Sequence, residues 1–310
     1  MGRSKALLVR LLKASPRPLV WRFARRYIAG DRLDHAVEVV RRLEREGCRA
    51  TVDVLGEDVT RESDVEAYVE EYHQAIERIV AEGLDANVSI KPTAFGLRIS
   101  EALCYRALRS VLEKADEHGM FVRLDMEDSP TTQATLDLYR RLRSEGFERL
   151  GVVLQSYLRR TLDDVRTLAA EGASVRLCKG IYVEPRELAY KEYQLIREAY
   201  VDALEVLLRG EDTHTAIATH DDYLVFHGRR LVRELGLGPG RYEFQMLLGV
   251  DEQLRRLLVA EGHPLRVYVP YGRGWHGYSL RRLVENPHLA AHVVRNVLGF
   301  GIGSEKAAPR

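Results

Sequence analysis

Near the end of the chain, Tyr278, Arg281, Arg282 and Glu285 stand three, four and seven residues apart, a spacing that puts all four on one face of an α-helix. Adjacent arginines suit a carboxylate or a phosphate, because planar guanidinium forks offer paired donors to paired oxygens. The alternative is a solvated stripe, with Leu280, Leu283 and Val284 turned to the core. A second polar set stands at or near the ends of apolar, β-rich runs: Glu57, Lys91, Asp125, Gln155, Arg176 with Lys179, Thr219 with His220, Gln245 and Tyr268. Any one of these could simply terminate a strand. Together they predict a shared rim. Arg176 stands out, because it lies within a run expected to be buried on both faces, where an unpaired guanidinium costs several kcal/mol. Arg176, Lys179, Gln155 and His220 would surround a large anionic or heteroaromatic body. The pattern predicts a small carboxylate ligand beside a bulky cofactor.

Those residues need elements to hold them. Eight β-rich runs, at 50–56, 87–91, 121–126, 150–155, 174–180, 215–220, 242–247 and 265–270, alternate with longer segments whose apolar positions recur every three or four residues. Strand–helix alternation repeated eight times predicts an α/β protein built as a (β/α)8 TIM-type barrel, whose chemistry gathers at the C-terminal ends of the strands. Residues 1–48 are expected to form an N-terminal helical arm and 49–310 the catalytic barrel. The first thirty residues are rich in Arg and Lys and carry no acidic residue. Such a segment suits packing on the barrel with snorkelling arginines, contact with an anionic membrane surface, or an organelle-targeting presequence. Pro16 and Pro18 divide it, and a further helix over 31–47 is closed by Gly47.

Composition removes several function classes. The 310 residues are 45% hydrophobic and 30% charged, as in a soluble enzyme, and the net charge of +1 gives no field for nucleic acid. Cys48, Cys104 and Cys178 are odd in number and far apart, which argues against a disulfide framework and for a reducing compartment. No metal is expected, since His214 and His220 lack zinc-site spacing. There is no G-x-S-x-G or P-loop, no G-x-G-x-x-G follows the first strand, and no apolar run comes near the roughly 20 residues of a membrane span.

"YSLRRLVE" (278–285), "VRLCKGIY" (175–182), "ATHD" (218–221), "YEFQMLLG" (242–249), "LDMED" (124–128) and "DVLGE" (53–57) resemble, in order and spacing, the blocks of the proline dehydrogenase family, and the length resembles its short monofunctional bacterial members. The resemblance implies a distorted barrel holding FAD noncovalently. It also implies oxidation of L-proline to Δ1-pyrroline-5-carboxylate by hydride transfer, with electrons passed to a quinone, as the first step of proline catabolism to glutamate. Asp125, Arg176 and Tyr278 would be catalytic. Lys91, Tyr182, Leu247, Tyr268, Arg281, Arg282 and Glu57 would bind substrate, the arginine pair clamping its carboxylate and Glu57 pairing with Arg281 as a gate. Asp125, Met126, Gln155, Arg176, Lys179, Gly180, Ile181, Thr219, His220, Gln245 and Glu285 would hold the cofactor.

Two departures from the family pattern are expected to matter. "GRGWHG" (272–277) matches it less well, and Ile181 stands where a smaller alanine is common, implying a tighter pocket. The resemblance and the length further imply a separate pyrroline-5-carboxylate dehydrogenase downstream, and a cytoplasmic protein that can lie peripherally on the inner face of the membrane. The rival readings are a methylenetetrahydrofolate-reductase-like flavin barrel, a Schiff-base aldolase using Lys91 or Lys179, and a membrane-bound scaffold without catalysis.

Overall fold

Within most of the β-rich runs, alternate residues differ: one set is aliphatic or aromatic and the other polar or small. Period-two alternation sends the two sets to opposite faces of a strand. The computed structural model describes residue 21, residues 24–275 and residues 278 and 279. Its strands are β1 (Arg49–Val54), β2 (Ala86–Ile90), β3 (Val122–Leu124), β4 (Leu150–Gln155), β5 (Ser174–Cys178), β6 (His214–Ala218), β7 (Tyr242–Leu247) and β8 (Leu265–Tyr271). They close into a barrel in chain order, with all neighbours parallel and β8 paired to β1. This is the (β/α)8 architecture expected from the alternation.

Register decides what the barrel encloses. Asp53 pairs with Ser89, Ser89 with Arg123, Arg176 with Ala216, and Gln245 with Arg266. These residues share the inner face, because Arg176 on β5 reaches Ser89 on β2 only across the lumen. The opposite set, including Val52, Val54, Val88, Ile90, Val122, Leu124, Leu177, Phe244 and Val267, faces outward and forms the main core with the helices. Barrel interiors are commonly filled by branched aliphatic residues. Here the interior is largely polar, and only hydrogen bonding can make that tolerable.

Eight α-helices cover the outward face among the described residues: α1 (Leu33–Arg45) ahead of β1, then α2 (Glu62–Ala81), α3 (Glu101–Asp116), α4 (Ser129–Ser144), α5 (Thr161–Ala170), α6 (Tyr193–Arg209), α7 (Asp222–Glu234) and α8 (Glu252–Ala260). In α3, Cys104, Ala107, Leu108, Val111, Leu112 and Ala115 make one buried stripe, and Ser100 caps its start by accepting from the Leu103 amide. The segment before α1 sits against the barrel: Ala29 N donates to Pro270 O, Gly272 N to Gly30 O, and Arg26 Nε to Gly249 O, each at 2.9 Å. At Gly249, with φ +71°, a Cβ would meet Arg26 O at 2.0 Å, so only glycine permits this seat. Residues 24–48 of the expected arm thus pack on the barrel, whereas residues 1–20, 22 and 23 lie outside the described residues. No described helix is long and apolar enough to cross a membrane.

One side-chain hub ties three elements together at the rim. Asp221, at the N-cap of α7, accepts from the Tyr223 amide at 3.2 Å. It also receives Lys179 Nζ from the end of β5 at 2.9 Å, Arg197 Nη2 from α6 at 2.8 Å, and the Tyr193 hydroxyl. Burial alone would raise its carboxyl, but the donors from Arg197, Tyr193 and Lys179 outweigh this and hold it well below the usual carboxylate range. Asp221→Ala should therefore destabilise the fold by about 1–3 kcal/mol, less than a fully buried pair because solvent reaches both cations. A depressed carboxyl stabilises the fold above its unfolded pKa of about 4 and loses that contribution as pH falls further. The melting-temperature gap between wild type and Asp221→Ala should stay level from about pH 8 to 5 and narrow below about pH 4.

Candidate active site

β2 ends at Ile90, and Lys91 projects back over the mouth of the barrel. Its Nζ lies 2.7 Å from Asp53 Oδ1, 3.0 Å from the Tyr268 hydroxyl and 3.4 Å from Asp125 Oδ2. Asp125 follows β3 and collects further donors: Ser89 Oγ at 2.6 Å, Arg176 Nη1 at 2.7 Å and the Tyr268 hydroxyl at 2.8 Å. Both Lys91 and Arg176 also stand beside the Tyr268 ring, 5.7 and 5.3 Å from its centre. Two cations, two carboxylates and a phenol thus share one buried site.

Burial works against each of these charges, and the neighbours decide the outcome. For Asp125, burial pushes the carboxyl up, but the Lys91 and Arg176 charges prevail and hold it below its usual value. For Lys91, desolvation would lower the ammonium, but Asp53 and Asp125 carry it well above the ordinary lysine range. Asp53 is completely buried, and burial pushes it up to about 6 against the pull of Lys91, with Asp125 adding to the rise. Desolvation, together with Asp125 and Asp53, raises the Tyr268 hydroxyl well above the ordinary tyrosine value, so it stays protonated and able to donate.

A chain of hydrogen bonds fixes Arg176 from below. Its Nε donates to Gln245 Oε1 at 2.5 Å, Gln245 Nε2 donates to Glu243 Oε1 at 2.5 Å, and Glu243 is gripped by Arg266 Nε at 2.9 and 3.1 Å. The guanidinium is therefore anchored along two edges by the protein itself, through Asp125 and Gln245, rather than waiting for a ligand to satisfy it. Its remaining nitrogen, Nη2, is buried with no hydrogen-bond partner.

The other rim residues form a looser ring. Gln155 Nε2 donates to the Glu127 carbonyl at 2.8 Å. Met126 and Thr219 are buried, and Thr219 Oγ1 accepts from the Asp221 amide at 3.1 Å. His220 Nε2 accepts from the Leu247 amide at 2.8 Å, which places the proton of a neutral ring on Nδ1. Lys179 is drawn to Asp221, and Ile181 beyond it is 40% exposed. Between them Gly180 has φ +105°, and a Cβ there would fall 2.1 Å from the Tyr157 ring. Tyr182 and Leu247 are half-buried, as is Glu57, which lies three residues past the end of β1. Tyr278 packs with Ala24, Ile28 and Leu55, flanked by Trp21 and Trp275, whose rings meet edge to face at 4.8 Å. Arg281, Arg282 and Glu285 lie outside the described residues.

Sequence reasoning missed Asp53, Ser89, Glu243 and Arg266, and also Glu127, whose carboxylate accepts from Thr93 N and Oγ1 and which burial pushes up to about 7. The usable signal was alternation. In "ATVDV" and "NVSIK" the polar residues fall on every second position, the mark of a polar lumen.

The comparisons with known proteins agree with one another. A family model described as proline dehydrogenase matches residues 36–295, a range that includes Arg281, Arg282 and Glu285. Proline dehydrogenase 1 of Bacillus subtilis (strain 168) is 38% identical over 276 residues, covering 89% of this chain and 90% of that protein. Proline dehydrogenase of Deinococcus radiodurans is 36% identical over 286 residues, covering 91% and 92%. Among solved structures, proline utilization A from Bdellovibrio bacteriovorus, inactivated by N-propargylglycine, shares the fold with a TM-score of 0.80 at 24% identity, over 90% of this chain and 34% of that one. A matching family model over most of the chain, with relatives alike along nearly their whole length, shows that the chain belongs to the proline dehydrogenase family.

Proposed function

We propose that the protein oxidises L-proline to Δ1-pyrroline-5-carboxylate, with FAD as hydride acceptor and a quinone as the final electron acceptor. The observation that carries this reading is Arg176: a buried guanidinium, immobilised on two edges, with Nη2 buried and unpartnered. A buried donor without an acceptor costs about 1–3 kcal/mol, and a flavin ring offers nitrogen and oxygen acceptors along its edge. The backbone at Gly180, where no side chain fits, suits close approach of a cofactor. Bound FAD would supply a two-electron acceptor for the hydride that leaves the ring carbon beside the proline nitrogen.

The chain's own residues bind, orient and polarise. Arg281 and Arg282 clamp the substrate carboxylate, with Glu57 pairing to Arg281 as a gate. Lys91 and Asp125 form the polar side of the pocket, and Tyr182, Leu247, Tyr268 and Tyr278 wall the five-membered ring. Arg176 presents fixed positive charge where negative charge develops, and its anchoring by Asp125 and Gln245 means that little reorganisation is needed. Met126, Gln155, Lys179, Ile181, Thr219, His220, Gln245 and Glu285 complete the cofactor site. An aldolase reading is disfavoured at Lys91, because a Schiff base needs a neutral amine and two carboxylates hold this one charged. Residues 1–48 act as an arm on a barrel of residues 49–310, and the basic start of the arm contacts anionic lipid at the inner face of the membrane. The product passes to a separate pyrroline-5-carboxylate dehydrogenase.

Purified protein should be yellow, and L-proline should bleach it without oxygen; a colourless protein inert to proline would end this reading. Arg176→Met should slow flavin reduction by roughly 10²–10³ in the folded fraction, and should also lower stability by about 3–5 kcal/mol because it removes one partner of a buried pair. Stopped-flow absorbance checks this, and a rate equal to wild type would remove Arg176 from the chemistry. Met at either Arg281 or Arg282 removes one charged fork from a buried carboxylate, a loss of about 2–5 kcal/mol, so kcat/KM for proline should fall roughly 30- to several-thousand-fold. Pyrrolidine, lacking the carboxylate, should be a poor substrate for wild type and little worse for these variants. Near-normal proline kinetics would make that helix face a solvated stripe.

Removing residues 1–20 should weaken binding to anionic vesicles, and raised salt should mimic the deletion by screening the basic charges. Unchanged vesicle binding would leave the arm a packing role alone.

A further inference from the structure

Asp53 is the least solvated of the site carboxylates and has the fewest partners. It is completely buried, its Oδ1 meets Lys91 Nζ at 2.7 Å, and its Oδ2 has no hydrogen-bond partner. Asp125 is satisfied differently, with Ser89, Arg176 and Tyr268 closer to its two oxygens than Lys91 is. Burying a carboxylate on a single cation is expensive, and an apolar residue of similar size would usually stabilise the interior at least as well. Packing therefore does not account for an acid at position 53.

The geometry of Lys91 does. Its ammonium has three donors, and three oxygens surround it, Asp53 the nearest and Asp125 the farthest. If the charge at 53 were removed, the remaining carboxylate in reach would be Asp125. Lys91 would close on it and compete with Arg176 Nη1 for the same group. The parallel register makes the arrangement local: Asp53 pairs with Ser89, and Lys91 stands two residues beyond Ser89 on the same strand face.

We propose that Asp53 is a positioning residue: by taking the shortest of the three Lys91 bonds it keeps the ammonium from closing on Asp125 beyond its present 3.4 Å, so that this longest bond is exchangeable for the substrate carboxylate and Asp125 stays committed to Arg176. This rests on the proline-oxidising function proposed above. Asp53 acts through Lys91 and does not touch the reacting atoms. Its carboxyl, raised by burial to about 6, is still largely ionised at neutral pH, so the pair is intact there.

A double-mutant cycle on the holoenzyme tests the coupling. Asp53→Asn keeps an acceptor and the side-chain volume but removes the charge, and Lys91→Met removes the group on which it acts. KM and kcat are measured for L-proline. The Kd of cyclopentanecarboxylate, which keeps ring and carboxylate without the amine, is measured from the perturbed cofactor absorbance. Asp53→Asn should raise both KM and Kd about 5- to 50-fold, the range expected within one charged network. On the Lys91→Met background the same substitution should add less than about threefold. Multiplying effects would overturn the proposal, as would a lowered melting temperature with both constants at wild-type values. If Asp53→Asn does not fold, Asp53→Ser, smaller and neutral, is measured in the same way. Failure of the wild-type enzyme to oxidise proline would count against the proposed function, whereas an uncoupled cycle in an active enzyme would count against this inference alone.

Discussion

The buried guanidinium of Arg176 sets the terms for the rest of the interior. It projects from the middle of a parallel strand into a closed barrel, where water cannot solvate it and its charge must be met by other strands. Asp125 from the end of β3 and Gln245 from β7 meet it directly. Each answer creates a further demand. Gln245 needs Glu243, Glu243 needs Arg266, and Asp125 draws in Ser89, Tyr268 and Lys91. Networks of this kind are worth having only when nearly every member is satisfied. Asp53 Oδ2 and Arg176 Nη2, at the upper end of this one, are buried without partners, and packing alone does not account for them.

Closing the barrel makes these demands compatible. A parallel sheet buried on both faces normally reads as continuous apolar sequence, and here only the outward set obeys that rule. The outer residues supply the hydrophobic driving force by packing under the helices. The inner residues are thereby released from stabilising the fold through burial. The structure separates the two tasks by strand parity, so a polar interior extends deep into the barrel while the apolar set packs outside it.

Much of this was legible in the sequence because it is local. The β-rich runs fall within a few residues of the observed strands, since alternation and flanking turn residues both act over short distances. Lys91, Asp125, Arg176, Gln245 and Tyr268 stand out in the sequence as polar residues at or near strand ends, and the structure joins all five. What was not legible depended on partners distant in the chain. Asp53 reads as one polar residue in a short strand until Lys91, 38 residues on, is brought against it. Lys179 reads as a free cation until Asp221 arrives from the far end of β6. Tyr268 reads as a strand exit, yet β8 runs on to Tyr271, because its end is paired with Val54 of β1.

The charges turned inward do not cancel. Lys91, Arg123, Arg176 and Arg266 face Asp53, Asp125 and Glu243, and Arg123 leans on main-chain carbonyls and the Ser174 hydroxyl without a carboxylate in its hydrogen bonds. Of these four cations, Arg123 is thus the one that no carboxylate meets directly. An anion entering from the rim would find that charge uncompensated as well as filling a site. Whatever binds the folded barrel and not the unfolded chain deepens the folding free energy in proportion to the logarithm of its concentration. For any anionic ligand that the barrel takes, occupancy and persistence of the fold would be two readings of one thermodynamic quantity. The enzyme's lifetime would then follow the supply of the small molecules it handles.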